Sequence, residues 1–122
     1  MKKKDIPFVS EEKIQTALVE YLTLKRIVFT SVPNESKRST GYGGKLKRMG
    51  LQKGFPDLLI FTRTLQVRGA GFVGIAIELK SSRGKVRPEQ KEWLDKLVIE
   101  NWLTKVCWSL DEVIDFLESW GY

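Results

Sequence analysis

Asp57, Glu78 and Lys80 are the residues in this chain whose types and order could do chemistry together. Asp57 opens the apolar run DLLIF, after Gly54-Phe55-Pro56, and Glu78 and Lys80 close the apolar run IAIELK. In that second run Ile75, Ile77 and Leu79 share one face by the period of two, while Ala76, Glu78 and Lys80 share the other. A carboxylate or an ammonium buried without a partner or a metal costs several kcal/mol. If the two runs are neighbouring strands, all three groups meet at one end of a sheet. Two carboxylates are hard oxygen ligands for a magnesium-type ion, and the backbone carbonyl of Leu79 can add a third oxygen. A lysine beside them can hold or deprotonate a water that the metal also acidifies. The bland alternative is a Glu78–Lys80 ion pair at a strand end, worth little energy.

Two helical residues point toward the same focus. In the helix predicted for EEKIQTALVEYLTLK, Glu11 and Gln15 project onto the apolar stripe of Ile14, Leu18 and Leu22, whereas Glu12 lies to the side. Gln90 comes three residues before Trp93 and four before Leu94, on the inward face of a second helix. At frayed helix ends either residue alone could be solvated. Together with Asp57, Glu78 and Lys80 they form a polar focus inside an otherwise apolar pattern.

The elements that must position these groups read clearly. Ser10 caps the first helix, with Glu11 and Glu12 complementing its dipole. IVFTSV, residues 27–32, reads as a short strand. A long Gly-, Ser- and Lys-rich stretch, 33–54, reads as a loop, of a length that is usually functional or disordered. DLLIFTR and FVGIAIELK read as antiparallel strands joined by TLQVRGAG. Pro88 starts a helix running to about Asn101, with Trp93, Leu94, Leu97 and Val98 inward. LTKVCW is a strand, and Ser109 with Glu112 forms a capping box for a last helix whose inward residues are Val113, Ile114, Leu117 and Trp120. The predicted fold is one α/β domain over residues 1–122, in the order α-β-β-β-α-β-α, with helices flanking a small mixed sheet.

Composition narrows the chemistry. The 122 residues are 42% hydrophobic and 30% charged, ordinary for a domain with its own core. With no histidine, His-based triads and His-containing zinc sites are excluded. Cys107 is the single cysteine, so no internal disulfide forms. Any metal must be held by oxygen: magnesium, manganese or calcium. No apolar run is long enough for a membrane span and no signal segment is visible, so the expectation is a cytoplasmic protein with no membrane partner.

The net charge of +6 is unevenly spread. Between Glu35 and Asp57 no acid occurs, while Lys37, Arg38, Lys45, Lys47, Arg48 and Lys53 all do. Arg83, Lys85, Arg87 and Lys91 follow the IAIELK run. One basic run is commonly solvated surface, but two of them flanking an acidic focus suggest a polyanion, nucleic acid above all.

G-F-P-D, then I-E-L-K, then P-E-Q opening a helix, with S-E-E-K-I-Q before and V-P-N-E-S-K-R-S between, resembles the PD-(D/E)XK nuclease superfamily, and within it the virus-type replication-repair nuclease (VRR-NUC) family. The resemblance spans nearly the whole chain. It implies a restriction-endonuclease-like core and a deoxyribonuclease dependent on Mg²⁺ or Mn²⁺. Asp57 and Glu78, with the Leu79 carbonyl, resemble the metal ligands. Lys80 resembles the catalytic lysine, Gln90 the glutamine of the P-E-Q motif, and Glu11 the helical acid near the metal, itself a further possible ligand. Lys37, Arg38, Lys45, Lys47, Arg48, Lys53, Arg83, Lys85 and Arg87 are the expected DNA contacts. Free-standing viral and bacterial members imply a homodimer acting on branched DNA such as four-way junctions, in a bacterial or phage-infected cell. Phe8, Val9, Trp102 and Tyr122 are candidates for its interface. The alternatives are a restriction-type or single-strand-trimming nuclease of the same superfamily, and a DNA-binding module without catalysis. The paired carboxylates beside a lysine speak against the last.

Overall fold

The computed structural model describes residues 7–33 and 40–122. The first helix, α1 (Glu11–Leu24), starts where the Ser10 side chain accepts from the Lys13 N–H. It ends at a turn in which Arg26 takes a left-handed φ of 55°. Next come β1 (Phe29–Ser31), α2 (Thr40–Arg48), β2 (Leu58–Phe61), α3 (Leu65–Gly69) and β3 (Gly74–Leu79). Then α4 (Pro88–Ile99) crosses over to β4 (Trp102–Cys107), and α5 (Leu110–Ser119) closes the chain.

The sheet order is β1-β2-β3-β4. β2 pairs antiparallel with both β1 and β3, whereas β4 lies parallel to β3 after the α4 crossover. Leu58 faces Ile77 and Ile60 faces Ile75 across the β2–β3 ladder, so these four share one face of the sheet. With Leu79 they pack against Ile14, Leu18 and Leu22 of α1 and Val113 and Leu117 of α5, forming the main core. The opposite face carries Leu59, Ala76 and Glu78, with α4 over it. Every residue of β3 is buried, as expected for a central strand covered on both sides.

The predicted fold class and element order hold, with two helices added. The stretch 33–54, predicted as loop, contains α2; its glycines lower intrinsic helix propensity, while Lys45, Lys47 and Arg48 in the last turn complement the dipole. The connection TLQVRGAG contains α3, for which Thr64 is the cap (its hydroxyl accepts from Val67 N–H) and Val67 the buried anchor. β1, β2 and β3 are shorter than their apolar runs, while β4 keeps the predicted length and starts one residue earlier. Helix α4 stops at Ile99 because Asn101 turns left-handed at φ 67°. Val98, expected inward, is 55% exposed; α4 buries a narrower stripe than its sequence offers. Tyr122 is used within the chain: its hydroxyl donates to the Phe61 carbonyl and accepts from the Arg63 N–H. Among the described residues, no helix is long and apolar enough to cross a membrane.

Gly54 joins the turn before β2 to α4. Its φ is +85°, and a Cβ there would come within 2.7 Å of the Glu89 carbonyl. Gly71 has a similar φ of +90° but nothing within 4 Å of its would-be Cβ. Gly54→Ala therefore carries both backbone strain and a clash with α4, and Gly71→Ala the strain alone, on the order of 1–3 kcal/mol. Denaturant unfolding should find Gly54→Ala the more destabilised of the two.

Candidate active site

Asp57 stands one residue before β2. Extending the β2–β3 register by one pair sets it directly opposite Glu78, on the face covered by α4. Its own carbonyl accepts from the Val32 N–H at 2.9 Å, which ties β1 to the site. Its Oδ2 accepts from the Leu79 N–H at 2.7 Å. The alternation that takes Glu78 out of the apolar core thus delivers it beside Asp57, not to solvent. Asp57, Glu78, Lys80 and Gln90 are 8%, 2%, 6% and 5% exposed, and they are the buried polar and charged residues among those described.

Gln90 is fixed from two sides. Its Oε1 accepts from the Arg87 N–H at 2.9 Å, where the chain enters α4, and its Nε2 donates to Glu78 Oε1 at 3.1 Å. The first bond orients the amide, so its NH₂ group must face the carboxylate. Glu78 Oε2 is buried and has no hydrogen-bond partner among the described residues. Burial, then the negative charge of Asp57 and a side-chain hydrogen bond with it, pushes the Glu78 pKa from 4.5 up to about 9, with Lys80 pulling the other way and Glu11 adding to the rise. A buried carboxylate oxygen without a donor, beside a second carboxylate, is the environment that a divalent cation satisfies, and all the donors are hard oxygens. The residues present fit an oxygen-held metal.

Glu11 is partly buried, Glu12 is exposed, and the charge of Glu11 is felt at Glu78. No group of three or more His, Cys, Asp and Glu side chains among the described residues is placed to hold a metal. Glu11 is therefore an acid in the neighbourhood, at the start of α1, and the facing pair is Asp57 and Glu78. Cys107 is buried next to Glu112, and burial raises its thiol pKa to about 12, which leaves it unreactive.

The site opens into a cleft of about 250 Å³ lined by Asp57, Glu78, Gln90 and Arg87, by Gln52, Lys53 and Gly54, and by Val32, Pro33 and Phe55. Lys53 and Arg87 are thus brought to the cleft. Lys45, Lys47, Arg48, Arg83 and Lys85 are at least partly exposed, on the end of α2 and on the segment between β3 and α4. Arg83 lies over the Phe8 ring, 5.9 Å from its centroid. Arg87 also pairs with Glu89 at 3.3 Å. Lys37 and Arg38 lie outside the described residues. Trp108 donates its indole N–H to the Gly84 carbonyl at 2.8 Å, which pins the basic segment. The sequence pattern did not single out Val32, Pro33 and Gln52 as cleft residues. Val32 was within reach, since it ends the first predicted strand and extends that strand's pairing to Asp57.

A paired-acid site, on a four-stranded mixed sheet with helices on both faces, defines the class: a nuclease domain of the PD-(D/E)XK type. The family profile described as the VRR-NUC domain matches residues 9–110. A solved structure titled "VRR_NUC domain protein" superposes with a TM-score of 0.71 at 25% identity, over 93% of this chain and 89% of that one. The search of curated proteins gave no match. The chain belongs to the VRR-NUC family, whose nuclease domains act on DNA and generally use a divalent metal.

The raised pKa of Glu78 has a consequence for stability. A carboxyl that holds its proton more tightly when folded stabilises the native state fully below pH 4.5, and that contribution is lost as pH rises toward about 9. Glu78→Gln abolishes this titration. In chelator, its stability relative to the unsubstituted chain should rise steadily across that window, and the advantage should vanish at the acidic end. Urea unfolding at several pH values measures the difference directly.

Proposed function

We propose that this protein is a Mg²⁺- or Mn²⁺-dependent endonuclease that hydrolyses phosphodiesters in branched DNA, four-way junctions foremost, as a homodimer. The observation that carries the reading is the buried Asp57–Glu78 pair, two facing carboxyl groups open to a cleft flanked by basic residues. Asp57, Glu78 and the Leu79 carbonyl would hold the metal, which when bound supplies positive charge to the scissile phosphate and acidifies water. Asp57 is already oriented by the Leu79 N–H and Glu78 by Gln90. Such preorganisation means that little reordering is needed when phosphate arrives. Lys80 shares the face of Glu78, with its ammonium close enough to be felt at that carboxylate. In this reading it orients the attacking water and takes its proton, or holds a phosphate oxygen while charge builds. Glu11 adds negative charge near the site, strengthening the demand for a cation.

Arg83, Lys85 and Arg87 on one side, and Lys45, Lys47, Arg48 and Lys53 on the other, would neutralise phosphates flanking the cut. A junction needs two matched cuts, and a two-fold dimer places two identical sites across a two-fold substrate. Of the interface candidates, Phe8 is exposed, whereas Trp102 covers Gly74 and Tyr122 is hydrogen-bonded within the chain.

Labelled linear, single-stranded, flapped and four-way-junction DNAs, incubated with Mg²⁺, Mn²⁺ or chelator, test the activity. Junctions should be cut symmetrically in metal and left intact in chelator, and sedimentation should give a dimer. Asp57→Asn and Glu78→Gln should abolish cutting and also the rise in melting temperature on adding Mn²⁺. Lys80→Ala should keep that rise and keep DNA affinity, while turnover falls on the order of 10²–10⁴-fold. A fully active Glu78→Gln protein would remove the basis of the assignment.

Charge reversal at Lys45, Lys47 and Arg48 provides an independent check on the DNA path. Binding should weaken for every sequence tried. The slope of log affinity against log salt should flatten by about 0.9 for each duplex phosphate that these side chains no longer neutralise. An unchanged slope would place α2 away from the DNA.

A further inference from the structure

Three of the residues that line the cleft carry apolar side chains. Val32, Pro33 and Phe55 form an apolar wall directly beside Asp57 and Glu78. That wall is rigid by construction. The Val32 N–H is bonded to the Asp57 carbonyl, Pro56 is fully buried, and Gly54 is packed against the first turn of α4. Phe55 meets Trp93 edge to face, with ring centroids 5.1 Å apart, and Lys96 covers Trp93 at 4.7 Å. A ring braced this way loses little freedom on receiving a ligand, and aromatic–aromatic contact of this kind fixes its orientation.

We infer that this apolar wall is a subsite for one unpaired nucleobase next to the scissile phosphate, with Phe55 as the stacking platform. The inference deepens the nuclease reading and rests on it. The phosphate must reach Asp57 and Glu78, so the neighbouring nucleotide is carried up to the Val32–Pro33–Phe55 wall. A base inside a duplex is stacked on both faces and cannot use such a wall; a base that has left the stack can. Lys53 and Arg87 on the rim neutralise the phosphates on either side. Gln52, an uncharged polar side chain that also lines the cleft, is turned toward the Gly50 carbonyl at 3.4 Å. The subsite is therefore built to stack and not to read base edges. It selects DNA that is locally unpaired at the cut, such as a flap, a single strand or an opened branch point, with little regard to sequence.

The test uses 2-aminopurine placed at successive positions of a flapped DNA and of a fully paired duplex. Fluorescence and affinity are both read in chelator, so that nothing is cut. One position in the flapped DNA should be strongly quenched on binding, and Phe55→Leu should abolish that quenching while Phe55→Tyr preserves it. Phe55→Leu should weaken binding of the flapped DNA in chelator roughly five-fold or more, the scale of one base stack, and weaken binding of the paired duplex less. Circular dichroism of Phe55→Leu and Phe55→Tyr confirms the fold before comparison. Retained quenching in a folded Phe55→Leu, or an equal loss of affinity for both DNAs, would overturn the subsite. Because quenching needs no catalysis, an inactive protein that still quenches would sink the nuclease reading and leave the subsite standing.

Discussion

Two buried acids held opposite one another on neighbouring strands are what the rest of this structure is organised around. Asp57 and Glu78 oppose one another one step beyond the last β2–β3 pair, and both are buried there. Without a cation, burial first and the charge of Asp57 second keep the Glu78 carboxyl a weak acid. The fold accepts a standing electrostatic cost at one end of its sheet. The apolar residues on the other face of the same strands, packed against α1 and α5, offset it. Strain of this type concentrates at functional sites, because a relaxed pair of acids would have no use for a metal.

The surroundings show how narrowly the pair is held. The Leu79 N–H holds one acid and the Gln90 amide the other, and Gln90 is itself held where the chain enters α4. That helix is registered against the β2 approach by the absence of a side chain at Gly54. The basic segment between β3 and α4 is pinned by Trp108, and Ser82 ties it to residues 7–9 through bonds to the Pro7 carbonyl and the Val9 N–H. Each contact is modest alone. Together they tie the acids, the amide and the basic segment into one hydrogen-bonded framework.

Membership of the VRR-NUC family carries the nuclease activity. The physical character of the cleft adds a division of labour inside it. Charged and hydrogen-bonded side chains line it together with the apolar Val32, Pro33 and Phe55.

The sequence places all four strands and helices α1, α4 and α5 in order, with the buried face of each strand and a polar focus among them. Those follow from local periodicity and from the cost of burying charge, which makes Glu78 and Gln90 conspicuous in apolar surroundings. It also determined that any metal must be oxygen-bound, because a chain without histidine and with one buried cysteine offers nothing else. Local pattern could not show α2 or α3: glycine-rich, polar segments become helical only when caps and neighbours outweigh weak propensity. Nor could it show that Val98 is exposed or that Tyr122 is consumed within the chain, since both depend on what lies across from them. Above all, only the tertiary structure decided that Asp57 and Glu78 are direct cross-strand partners, that Glu11 comes near enough to be felt at Glu78, and that Val32, Pro33 and Phe55 wall the cleft. Register between strands is set by long-range packing, and a slip of one residue would have turned Glu78 away from Asp57 and into the α1–α5 core.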